Sequence, residues 1–145
     1  MKSTAAPPVS LPSQANRHWV ITGGTNGIGL EAARAAADAG ADITLTARTM
    51  ARGAQVATEL GERGATVSVI QLDLTDLDAV RRGAEQIVAA DRPVDVLVNN
   101  AGAVSARRTE TPSGAELILA TNVLGPFAFT NHIAPLLTGR IVITG

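Results

Sequence analysis

The stretch "VITGGTNGIG", Val20–Gly29, decides the fold. An apolar run ends at Thr22, glycines follow at 23, 24, 27 and 29, and a helical pattern, "LEAARAAADAG", starts at once. Lacking a Cβ, glycine lets the chain turn tightly and lets another group approach the backbone. The helix that follows points its free N–H groups and the positive end of its dipole at that approach. A pyrophosphate is the natural ligand for such a loop. Gly23, Gly27 and Gly29 have the spacing G-x-x-x-G-x-G, and Gly29 would also let helix and strand pack closely. A tight turn without a ligand is the competing reading. The position between a first strand and a helix favours the nucleotide.

Working outward, apolar runs and helical patterns alternate. Strands are expected at 18–22, 43–47, 66–72, 94–98 and 140–144, all short and rich in Val, Ile and Leu. Helices are expected at 28–39, 49–63, 77–90 and 114–137, with Gly40 and Gly64 marking helix ends and Thr75 or Asp76 as an N-cap. This β-α-β order with short connections predicts an α/β fold, a doubly wound parallel sheet of the Rossmann type. With 46% hydrophobic residues but 2% aromatics, the core must be built from Ala, Val, Ile and Leu. The 145 residues favour one domain. Residues 1–16 hold Pro7, Pro8 and Pro12 and no apolar run, and are expected to be a disordered leader without a secretory signal.

Several function classes are disfavoured. A net charge of −1 and the scarcity of aromatics argue against nucleic acid. Cysteine is absent, and His18 and His132 fit no metal-ligand spacing, so no metal is expected. The run 117–139 has no charge and is long enough to span a bilayer. Its Asn122, Pro126, Asn131, His132 and Pro135 oppose insertion, so a buried helix, no membrane contact and a cytoplasmic location are expected.

The second strand bears on the nucleotide. Sites for NAD carry an acidic residue near its end, which binds the ribose 2′-hydroxyl. Here the strand reads "ITLTAR": Ala47 stands in the acidic place and Arg48 follows. A carboxylate would repel a 2′-phosphate, whereas a guanidinium can bind it with charge-assisted hydrogen bonds. Arg48 as a plain surface arginine is the alternative; the missing acid favours NADP(H) over NAD(H).

"TGGTNGIG" (22–29), "LDL" (72–74), "NNAG" (99–102) and "TNVLGPF" (121–127) together resemble the short-chain dehydrogenase/reductases, in that family's order. The likeness runs from about Arg17 to Gly145. "GIGLEAAR", "TAR" and the G-x-E at 114–116 look most like its retinol-dehydrogenase-like branch. The resemblance implies that Gly23, Thr25, Asn26, Gly27, Ile28 and Gly29 surround the pyrophosphate and adenosine ribose, and that Arg48 holds the 2′-phosphate. It implies that Asp73 accepts from the adenine amino group beside the Leu74 backbone. Asn100, Ala101 and Gly102 would line the ribose while Asn99 braces the central sheet. Asn122 matches the catalytic asparagine, which in the family holds a proton-relay water chiefly through its main chain. Pro126 is expected to mark a kink.

The resemblance also implies a Ser and a Tyr-x-x-x-Lys pair after "RIVITG". The chain has no tyrosine, and its single lysine is Lys2. The expected function is an NADP(H)-dependent carbonyl or alcohol oxidoreductase, present here as its cofactor-binding part and inactive alone. A complete, non-catalytic NADP(H)-binding sensor or interaction module is the alternative. The free edge of the last strand and the uncharged run before it predict a homo-oligomer.

Overall fold

The computed structural model describes residues 10–145. Five strands, β1 (His18–Thr22), β2 (Asp42–Ala47), β3 (Val67–Gln71), β4 (Val94–Asn99) and β5 (Leu137–Ile143), form one sheet in the order β3-β2-β1-β4-β5. All four pairings are parallel. Helices α1 (Gly27–Asp38), α2 (Met50–Glu62) and α3 (Leu77–Ala89) make the first crossovers. A composite helical segment fills the last one: α4 (Leu117–Leu119), a π turn (Ala120–Leu124), α5 (Gly125–Ile133) and a 3-10 turn (Ala134–Leu136). Strand order reverses between β1 and β4, and ligands of open α/β sheets bind at that switch point.

The central strands β1, β2 and β4 are covered on both faces, which explains why they read as unbroken apolar runs. Neighbours Val20 and Ile21 are both fully buried, on opposite faces. Ile21, Ile43, Leu45 and Val98 pack against Leu30, Ala33, Val56 and Leu60 of α1 and α2. Val20, Ile70 and Leu97 pack against Val80, Ile87, Phe129 and Ile133 of α3 and α5. Phe129 is the largest fully buried side chain and anchors α5; truncating such a residue costs about 3–5 kcal/mol.

Helix ends follow from local chemistry. Asp76, one of the two candidates, caps α3 by accepting from the N–H groups of Asp78 (2.9 Å) and Ala79 (3.2 Å). Gly40 (φ +90°) and Gly64 (φ +94°) follow α1 and α2 in the left-handed conformation that ends helices.

Three expectations need correction. The helix expected at 114–137 is not one helix. Gly114 (φ +83°) belongs to a turn, and Glu116 caps α4 through the Leu119 N–H (2.9 Å). The π turn then ends two residues before Pro126, which lacks the N–H a regular helix would give to the Asn122 carbonyl. Nor is the run simply buried: Leu119, Val123, Leu124 and Phe127 are exposed while Phe129 and Ile133 face the sheet. Leu117–Leu136 is long and apolar enough by composition to cross a membrane. The strand expected at 140–144 begins three residues earlier, at Leu137 opposite Val94. Gly139 lies inside that added stretch. A Cβ there would overlap the Asp95 carbonyl, and the register shifts between Val94 and Val96.

The folded unit also starts before Arg17. The Gln14 N–H donates to Ala39 O (2.8 Å), and Gln14 Oε1 accepts from Trp19 Nε1 (3.1 Å). The rest of the expected leader, residues 1–9, lies outside the described residues.

Candidate functional site

The glycines divide by what surrounds them. Gly23 (φ +65°) lies so close to the β4 end that a Cβ would meet Ala101 Cα at 2.7 Å. At Gly29 a Cβ would overlap the Asn100 side chain and the Gly23 carbonyl. These two glycines let the loop after β1, helix α1 and the loop after β4 close on one another. Gly27 (φ +51°) differs, since a Cβ there would meet nothing within 4 Å. Asn26 is the N-cap of α1 but gives it no side-chain hydrogen bond, and no acid stands in the first turn. The helix therefore opens with uncapped donors beside vacant space. That cradle fits a diphosphate.

The loop opens into a cavity of about 540 Å³. Gly23, Thr25, Asn26, Arg48, Asp73, Leu74, Asn100, Ala101 and Gly102 all line it, which brings the ends of β1, β2, β3 and β4 together. Of the other expected residues, Gly27 and Gly29 lie outside that lining. Ile28 and Asn122 line a second, more apolar groove of about 760 Å³ with Phe127, Ile141 and Ile143. Asn100 to Val104 border both spaces.

Hydrogen bonds fix this geometry. Thr22 Oγ1 accepts from the N–H groups of Asn100 (3.1 Å) and Ala101 (3.2 Å), tying the ends of β1 and β4. Asn100 Nδ2 donates to Gly23 O (3.1 Å), and its Oδ1 accepts from Thr144 Oγ1 (3.0 Å). Asn99, expected to brace the central sheet, pairs with Thr22 of β1 on one side and Ile143 of β5 on the other, and Asn100 adds side-chain ties to the chain after β1 and after β5. Asn99 turns to the helix side, where Nδ2 donates to Thr130 Oγ1 (2.9 Å) and Oδ1 is buried without a partner. Asp73 Oδ1 closes a local turn, accepting from the Thr75 N–H (2.9 Å) and hydroxyl (2.7 Å). Arg48 is exposed at the cavity rim, and its carbonyl accepts from Gln71 Nε2 (3.2 Å).

Asn122 reaches the loop after β4: Oδ1 accepts from the Ala103 N–H (2.7 Å) and Nδ2 donates to the Ala103 carbonyl (3.0 Å). Its side chain is spent, and Pro126 deprives its carbonyl of the usual helical donor. Gly125 lies against the Leu74 backbone, where a Cβ would overlap the Leu74 carbonyl, and so presses the helical segment onto the loop after β3. Glu116 holds the helix start, and the Leu119 N–H beside it keeps its carboxyl below the usual carboxylate range.

Sequence reading missed three contributors. Thr22 was read only as a strand end. Glu116 was a motif letter without a role, and glutamate is not among the residue types that signal an N-cap. Arg52, whose fork grips the Thr25 carbonyl from α2, had no signal in the pattern.

The short chain dehydrogenase family model matches residues 17–145. Bovine (Bos taurus) retinol dehydrogenase 12 is 37% identical over 124 residues, covering 84% of this chain and 38% of its own. A structure described as a putative uncharacterized protein from Mycobacterium paratuberculosis superposes with a TM-score of 0.81 at 40% identity, covering 90% of this chain and 46% of its own. The Pseudomonas aeruginosa RhlG/NADP active-site complex superposes with a TM-score of 0.80 at 31% identity, covering 92% and 56%. The chain spans about two fifths of the length of the curated relatives it matches. A doubly wound parallel sheet, a glycine cradle at its switch point and a match along nearly the whole chain lead to one conclusion: this chain belongs to the short-chain dehydrogenase/reductase family, with retinol-dehydrogenase-like relatives.

Proposed function

We propose that the chain is the cofactor-binding part of an oxidoreductase that uses NADP(H) in preference to NAD(H) and acts on a small carbonyl or alcohol. The observation that carries this reading is Arg48 at the cavity rim, next to Ala47 where a carboxylate would select NAD. An NADP complex among the structural relatives supports it. The cofactor, when bound, supplies or accepts the hydride. The chain's own residues bind and orient. The uncapped first turn of α1 and Gly27 hold the diphosphate, and Arg48 takes the 2′-phosphate. Asp73 Oδ2 is left to accept from the adenine, since Oδ1 is engaged by Thr75. Asn122, its side chain tied to Ala103, offers its main-chain carbonyl to water.

The phenol–ammonium pair for proton transfer has no counterpart in the chain, which has no tyrosine and only Lys2 as lysine. General acid–base groups contribute about 10²–10⁴-fold, so the 145-residue chain alone is inactive.

Calorimetric titration tests the cofactor choice. NADPH binds about ten- to a hundredfold more tightly than NADH, and Arg48→Ala removes most of the difference. Equal affinity for both in the unmutated chain overturns the assignment. Ala47→Asp shifts preference towards NADH and lowers stability, because Ala47 is buried next to Gly53.

A further inference from the structure

Arg48 and Arg52 stand four residues apart, yet they do different things. Arg48 lines the cavity, whereas Arg52 lies in the first turn of α2 and grips the glycine loop from outside that lining. Its Nε (3.1 Å) and Nη2 (2.8 Å) both donate to the main-chain carbonyl of Thr25, and Nη1 reaches Gln55 Oε1 (3.4 Å). Thr25 directly precedes Asn26, the residue that opens α1. A carbonyl held by both prongs of a planar guanidinium has its direction fixed. Because the peptide is planar, fixing that oxygen also fixes the Asn26 N–H on the other side of the same bond. Neither side chain nor acid otherwise restrains this helix entry.

We propose that Arg52 is a positioning residue for the diphosphate. It clamps the Thr25–Asn26 peptide so that the loop meets the ligand already shaped. Ordering the loop in advance reduces the entropy lost on binding. The inference rests on the cofactor reading above but separates from it in one respect: Arg48 distinguishes NADP(H) from NAD(H), while Arg52 serves both equally.

The test is calorimetric titration of the 145-residue chain, Arg52→Ala and Arg52→Lys with NADPH, NADH, ADP and 2′-AMP, of which only 2′-AMP lacks a diphosphate. Arg52→Ala weakens NADPH, NADH and ADP by a common factor of about three to ten and leaves 2′-AMP unchanged. Lysine, with one prong in place of two, restores part of the loss. In nucleotide-free Arg52→Ala, amide exchange quickens across 26–29 with little change in melting temperature. A loss confined to NADPH and 2′-AMP makes Arg52 a 2′-phosphate ligand and overturns the proposal. A loss shared by 2′-AMP together with a lower melting temperature marks a general structural role and overturns it too, as does unchanged binding. Equal binding of NADPH and NADH by the unmutated chain defeats the cofactor preference alone, because the ADP comparison still stands. If the unmutated chain binds none of the four, the cofactor reading falls, and unchanged loop exchange in Arg52→Ala then overturns the clamp.

Discussion

The Asn122 side chain and the Ala103 main chain pair as two peptides do in a sheet: Oδ1 accepts from the Ala103 N–H at 2.7 Å while Nδ2 donates to its carbonyl at 3.0 Å. This clasp holds the loop between the two cavities against the π turn. Asn122→Ala removes both bonds at a cost of about 1–3 kcal/mol. Denaturation followed by the single tryptophan, Trp19, reads the loss, and faster amide exchange at Ala103 locates it. An unchanged midpoint together with unchanged exchange defeats the clasp.

Gly27 and Gly29 are separated by one residue and respond differently to alanine. At Gly29 the new Cβ overlaps the Gly23 carbonyl and the Asn100 side chain, so the nucleotide-free protein loses about 1–3 kcal/mol. At Gly27 the Cβ meets no protein atom, and the cost is the left-handed backbone alone, about 1–2 kcal/mol. The ligand reverses the emphasis: Gly27→Ala obstructs the diphosphate and loses more NADPH affinity than its stability cost accounts for. Thermal melts with and without NADPH measure both. Equal ligand-induced shifts in Gly27→Ala and the unmutated chain count against the cradle.

His18 gives the fold a pH dependence. The ring is buried, with Nδ1 3.1 Å from the Pro93 carbonyl and Nε2 2.8 Å from Thr44 Oγ1, which in turn meets Ser68 Oγ at 2.8 Å. Burial disfavours the charged form and pushes the imidazole below its ordinary value, against opposing contributions from the Pro93 carbonyl, Asp42 and Asp95. The unfolded chain therefore takes up a proton at a higher pH than the folded one. Stability is full above the unfolded pKa of about 6.5, falls as pH drops below it, and levels once the folded ring protonates. His18→Gln is less stable at neutral pH but loses less between pH 7.5 and 5.5. An equal slope in both proteins counts against His18 as the source.

β5 is the sheet edge, and its apolar side chains lack cover. Ile141 and Ile143 share a face with Leu97, Val142 shares the other with Val98, and all three are exposed. Unpaired edge groups beside an apolar β-branched run template association. The 145-residue chain is expected to self-associate and Val142→Lys to reduce this; light scattering over a concentration series reads both. A monodisperse monomer at every concentration defeats the expectation.

The alternation of strands and helices, the glycine loop and the charge at the end of β2 were legible in the sequence because each depends on local pattern. Apolar runs of five or six residues mark buried parallel strands. Glycine marks a backbone position where a side chain has no room, and Arg48 beside Ala47 is a difference of charge. The sequence could not show which partners those residues would find. Gly139 lay outside the strand expected at 140–144, yet it belongs to β5, where the Asp95 carbonyl leaves no space for a Cβ. The uncharged run 117–139 read as one helix. Its π turn, its capped start and its half-exposed face come from Pro126, Glu116 and the sheet beneath Phe129 acting together. Asn99 and Asn100 are adjacent and identical in type, but Asn99 ends β4 and meets Thr130, whereas Asn100 opens the loop beyond it and meets Gly23 and Thr144. Arg52 gave no sign of its role, because its partner is a main-chain carbonyl 27 residues away, brought within reach by the packing of α2 beside the first loop.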